Sequence, residues 1–140
     1  MVEEAIQERL KEILAQEEQI YFAVLYGSAA ASTPDREGEA SRERHFHDLD
    51  VAIWVDEEVL GPRKWLAWAA RLEAKLQRAV DYPVDLRILN DASLPFRYNV
   101  SRGIPLLIND KETWYHFLER TWDEYLDFQP VAMAYLREMR

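Results

Sequence analysis

Apolar positions recur along the chain with two different periods, and the switch between them lays out the elements. Val2, Ile6, Leu10, Ile13 and Leu14 recur at the helical step, predicting a first helix over 3–18. From Ile20 to Tyr26 the apolar and aromatic run is unbroken and Gly27 ends it, the pattern of a strand covered on both faces. Residues 29–47 are small, polar or charged, with Pro34 and Gly38, and read as a long loop of the kind that usually serves function or lacks order. Leu49 to Val55, rich in branched and aromatic residues, reads as a second strand. Pro62 suits the first turn of a helix, and Trp65, Leu66, Ala69, Leu72, Leu76, Ala79 and Val80 give that helix one apolar face through about residue 80. Asp81-Tyr82-Pro83 breaks it. Val84, Leu86 and Ile88 then alternate with Asp85 and Arg87, as in a strand with one polar edge.

Further on, Leu94 to Arg102 reads as a short helix, and Ile104 to Ile108 as a short edge strand because Pro105 removes a ladder donor. Asp110 is placed to cap a helix carrying the stripe Trp114, Phe117, Leu118, Thr121, Trp122, Tyr125 and Leu126. Most of those aromatics belong to a core, with room for Trp114, Trp122 and Tyr125 to extend into an interface; Trp65 and Trp68 are read the same way. Pro130 is expected to start a last short helix ending near Arg140. The order is helix, strand, strand, helix, strand, helix, strand, helix, helix, which predicts an α/β or α+β sheet with helices packed on it.

A length of 140 residues predicts one domain over 1–140, large enough to fold on its own core. The absence of cysteine excludes disulfides, thiolate metal sites and a cysteine nucleophile. The longest apolar runs fall well below the ~20 residues of a membrane span. An acidic, amphipathic start, Met1-Val2-Glu3-Glu4, does not suit a signal peptide, so a cytoplasmic location is expected. The net charge of −9 makes a poor nucleic-acid binder, since that binding draws on Lys and Arg. It leaves open a basic protein partner or simple solubility.

The candidate chemistry lies at the ends of the predicted strands. Asp48 and Asp50 stand two apart on a strand and project to one side, about 6 Å from each other. Their repulsion is roughly 3 kcal/mol at an effective dielectric near 20, which a cation or solvent between them would relieve. Asp85 on a neighbouring strand completes a three-carboxylate cluster, or simply pairs with Arg87. Magnesium suits carboxylate oxygens, and such a cluster can hold two ions around a transferring phosphate. Gly27-Ser28 follows the first strand directly: glycine lets the backbone approach an anion, and the serine hydroxyl adds a donor. Ala29-Ala30-Ala31 then favours a helical turn. His45 and His47, just before Asp48, are loop residues at the mouth of such a site, with metal ligation or contact with nucleotide or partner as alternatives.

Leu25-Tyr26-Gly27-Ser28-Ala29-Ala30, then Asp48-Leu49-Asp50-Val51-Ala52, then Val84-Asp85-Leu86 resembles the DNA polymerase beta superfamily of nucleotidyltransferases. More narrowly it resembles the minimal nucleotidyltransferase (MNT) antitoxins. Arg102-Gly103-Ile104-Pro105-Leu106-Leu107 with Asp110, and Tyr125-Leu126-Asp127-Phe128-Gln129-Pro130, look like the C-terminal part of those proteins. The resemblance implies the nucleotidyltransferase fold, a small mixed sheet with helices packed on it. It implies transfer of AMP from ATP to a tyrosine of a HEPN-domain ribonuclease toxin, with two magnesium ions. It assigns the ions to Asp48, Asp50 and Asp85, gives Asp85 the role of base, and gives Gly27 and Ser28 the terminal phosphates. Two departures stand out. The family's Arg and Gly after Gly-Ser-Ala are replaced by Ala31 and Ser32, and nineteen residues separate Ser28 from Asp48, more than is usual. Arg36, Arg42 or Arg44 could supply the missing guanidinium. Alongside the enzyme stand two other readings: an antitoxin that neutralises its partner by contact alone, and a nucleotidyltransferase for a small hydroxylated substrate.

Overall fold

In a computed structural model that describes residues 4–30 and 48–138, the two most apolar runs pair at the centre of a four-stranded sheet. Strand β1 (Ile20–Tyr26) lies antiparallel to β2 (Leu49–Val55), in a register that runs from Ile20 opposite Val55 to Tyr26 opposite Asp50. Strand β3 (Val84–Ile88) runs parallel to β2 on one side, and β4 (Ile104–Ile108) antiparallel to β1 on the other. The sheet order is β3-β2-β1-β4, so β4 is an edge strand and Pro105 costs it no ladder partner.

Helices cover both faces, which explains why β1 and β2 lack polar alternation. Helix α1 (Glu4–Leu14) and helix α2 (Trp65–Val80), entered through a tight turn at Pro62–Lys64, lie on one face. There Leu10, Leu14, Leu72 and Leu76 pack on Leu25, Val51 and Ile53. Helix α3 (Leu94–Ser101) and helix α4 (Lys111–Glu138) cover the other, where Val100, Trp114 and Phe117 meet Phe22, Val24 and Ala52. Phe22 is fully buried, its ring 4.9 Å from Trp114 and 5.2 Å from Phe117. Asp110 caps α4 as expected, its Oδ1 accepting the Thr113 N–H at 3.2 Å.

Three expectations are corrected. Helix α1 stops at Leu14 rather than residue 18, because the polar stretch Gln16–Gln19 has nothing to bury and must turn the chain back into β1. On α2 the predicted face packs on the core except at Leu66, which is 86 % exposed, and Trp68 joins it. Most consequentially, no separate last helix starts at Pro130: α4 is continuous through it. A proline inside a helix deprives the carbonyl four residues earlier of its donor. Here both Leu126 and Pro130 are exposed, so water can satisfy that carbonyl and the helix goes on. The Ala29–Ala30 end of the predicted loop belongs to a short turn, and residues 31–47 lie outside the described residues.

Candidate active site

The antiparallel β1–β2 pair and the parallel β2–β3 pair bring the end of β1 to the beginnings of β2 and β3. Asp50 therefore has Tyr26 opposite it on one side and Asp85 on the other. Asp48 sits one residue before β2, where the Leu49 N–H donates to the Pro83 carbonyl at 2.9 Å and ties the two strand starts together. In consequence Asp48, Asp50 and Asp85 each offer a carboxylate oxygen within 4.8 Å of the others. All three are half-buried. The two-residue spacing of Asp48 and Asp50 was legible in the sequence; the Asp50–Asp85 register is set by the parallel crossover through α2.

The Gly27 turn closes against the same cluster. Gly27 has φ +78°, in the region that favours glycine, and a β-carbon there would lie 2.5 Å from Asp50 Oδ2. Both constraints select glycine, and the second makes the turn and the carboxylate one packed unit. The turn from Gly27 to Ala29 is held by the Ala30 N–H donating to the Gly27 carbonyl at 3.1 Å. Ser28 is exposed at its tip, and among the described residues its hydroxyl has no partner. Thus Gly27, Ser28, Asp48, Asp50 and Asp85 come together at one end of the sheet. Ala31, Ser32, Arg36, Arg42, Arg44, His45 and His47 lie outside the described residues.

The electrostatics show what the cluster lacks. Burial, and then the Asp48 and Asp85 charges, push the Asp50 carboxyl up to about 6, with Arg87 offsetting part of this and a hydrogen bond to Asp48 adding to it. Burial and the neighbouring Asp50 charge also push the Tyr26 phenol far up, so it stays protonated. Arg87 donates from Nε to Asp85 Oδ2 at 3.3 Å, and its guanidinium lies 5.9 Å from the Phe96 ring centroid. Asp85 thus does both things the sequence left open: it joins the cluster and pairs with Arg87. Arg87, Tyr26 and Phe96 are the neighbours that sequence reasoning did not assign to the site. The one available signal was the two-residue step from Asp85 to Arg87, which places both on one face of β3.

Among the described residues, three clustered carboxylates with the partly compensating Arg87 guanidinium are a hard, electron-rich oxygen donor set. Such a set fits a divalent cation such as magnesium.

The family model for the polymerase beta nucleotidyltransferase domain matches residues 8–112, from within α1 through the Gly27 turn, all three carboxylates and β4. Among solved structures, a chain of the toxin–antitoxin MntA–HepT is 19% identical over 98% of each chain, with a TM-score of 0.64. A mutant form of it reaches a TM-score of 0.67 at 20% identity, covering 95% of this chain and 97% of that one. A complex of a tri-AMPylated Shewanella oneidensis HEPN toxin with an MNT antitoxin gives 0.63 at 20% identity, over 96% of each chain. At such identities the likeness is one of fold. No curated protein matches the chain. The matched domain and the fold agree with the motif order, and this chain belongs to the polymerase beta nucleotidyltransferase family.

Proposed function

We propose that the protein is an antitoxin that transfers AMP from ATP to a tyrosine of a HEPN-domain ribonuclease toxin and so silences it. The observation that carries this reading is the convergence of Asp48, Asp50 and Asp85 within 4.8 Å, packed against the Gly27 turn. The neighbours support the choice of substrate and partner: one complex holds an AMPylated HEPN toxin, and another toxin–antitoxin structure holds AMP-PNP. A single nucleotidyltransferase domain over 1–140 and a cytoplasmic setting go with the reading. Among the described residues no helix is long and apolar enough to cross a membrane.

Two magnesium ions held by Asp48, Asp50 and Asp85 would activate the attacking oxygen and neutralise charge on the departing pyrophosphate. The chain's own residues supply position. The side-chain-free backbone at Gly27 lets the terminal phosphates approach, and the exposed Ser28 hydroxyl donates to one of their oxygens. The acceptor phenolic oxygen bonds to the α-phosphorus as the bond to the bridging oxygen breaks and pyrophosphate leaves. Asp85 takes the phenolic proton. Tyr26, buried and held protonated, does not compete as a nucleophile. Positioning and charge complementarity account for most of the acceleration.

The test is incubation with α-labelled ATP, magnesium and the product of the neighbouring gene, which this reading expects to be a HEPN-domain protein. Label should appear on a tyrosine of that protein, and Asp48→Ala with Asp50→Ala should abolish it. Label that persists in the double variant sinks the catalytic assignment. Toxin neutralised equally well without any label would instead establish an antitoxin that works by contact alone.

A further inference from the structure

The outer face of α4 carries a row of exposed apolar side chains. Tyr115, Trp122 and Leu126 are 62%, 37% and 56% exposed and stand seven and four residues apart, so they form one row along the helix. Glu119 and Asp123 lie beside that row, and among the described residues neither forms an ion pair or hydrogen bond. The row is tied to the active site through α3. The Tyr98 ring stacks on Tyr125 at 3.7 Å and 7° and meets Trp122 edge-on at 5.0 Å. Two residues earlier, Phe96 touches both Tyr26 and Arg87 at the site.

We infer that this face is where the acceptor protein docks, through an apolar centre rimmed by lysine or arginine. The inference rests on the function proposed above and names the surface that function would need. Charge decides the occupant. The chain carries a net charge of −9 and the row is flanked by the Glu119 and Asp123 carboxylates. A second copy of the chain would place acidic rim against acidic rim, because a two-fold contact apposes the same patch. A ribonuclease must instead carry basic surface to hold its RNA's phosphates. Exposed Trp and Tyr beside carboxylates are the residues that anchor such an interface, and the α3 link sets the docked protein next to the carboxylate cluster.

The experiment is calorimetric titration of this chain with that neighbouring-gene product. Leu126→Glu, on the exposed row and outside the α3–α4 ring contacts, should weaken binding by at least roughly thirtyfold. Trp122→Ala should do the same. Glu119→Lys combined with Asp123→Lys should slow association and flatten its salt dependence. Binding of magnesium–ATP should be unchanged in each, showing that fold and site are intact. If the wild-type chain binds and the variants bind equally well, this docking surface is wrong while the proposed function stands. If the wild-type chain does not bind, both fall. A homodimer in sedimentation that Leu126→Glu dissolves would give the face to a second copy and overturn the inference.

Discussion

Replacing Asp50 with Asn removes a charge that the fold resists and keeps the side chain's size. In the folded protein the Asp50 carboxyl stands at about 6 against an ordinary 3.8, through burial first and then the Asp48 and Asp85 charges. At about 1.4 kcal/mol per unit, ionising it costs the folded state at most about 3 kcal/mol. Asp50 is only half-buried, so solvent screening reduces this to about 1–2 kcal/mol. The folded value lies above the unfolded one. The contribution to stability is therefore complete below 3.8 and is lost as pH rises through about 6. Asp50→Asn should be more stable than wild type by about 1–2 kcal/mol near pH 8, and by roughly half of that near pH 5. Urea denaturation with linear extrapolation, in EDTA, measures both. A variant no more stable than wild type near pH 8, or a gain of the same size at both pH values, would refute the reasoning. Magnesium should stabilise the wild type more than the variant, since only the wild type keeps the whole donor set.

Gly27→Ala should lose about 1–2 kcal/mol from its left-handed backbone alone, and more from the new β-carbon driving Asp50 aside. Denaturation and a magnesium–ATP titration should both show the damage; unchanged nucleotide affinity would separate the turn from the site. Asn90→Ala should cost about 1–3 kcal/mol, because Asn90 Oδ1 accepts the Val55 N–H at 2.9 Å and its Nδ2 donates to the Val55 carbonyl at 2.8 Å. That loss is read by denaturation, and nucleotide binding at the far end of β2 should be kept.

Much of this fold can be read along the chain because burial on both faces writes itself as an unbroken apolar run. Ile20–Tyr26 and Leu49–Val55 could hardly be anything but central strands. The carboxylate pair was equally plain, since a two-residue step running into a strand fixes a shared side, although Asp48 itself stands one residue before β2. What the chain hides is register. Asp85 faces Asp50 only because α2 returns β3 parallel to β2 at one particular offset, and no local pattern encodes that offset. Nor could spacing reveal that Asn90 takes the place of a β3 partner for Val55, 35 positions away. Leu66 misled because period alone does not say where on a helix the apolar arc is centred. Pro130 misled because the rule against proline in helices assumes that the freed carbonyl is buried.

Among the described residues strand β3 has only one neighbour in the sheet, and its register with that neighbour places one carboxylate opposite another. The contact that assembles the site is therefore the contact the site loosens. Amide hydrogen exchange along Val84–Ile88 should run ahead of exchange in β1, which is paired on both sides and closed off from water. Filling the gap between the carboxylates with positive charge would slow the exchange, so the rim of this sheet reports whether the protein is loaded.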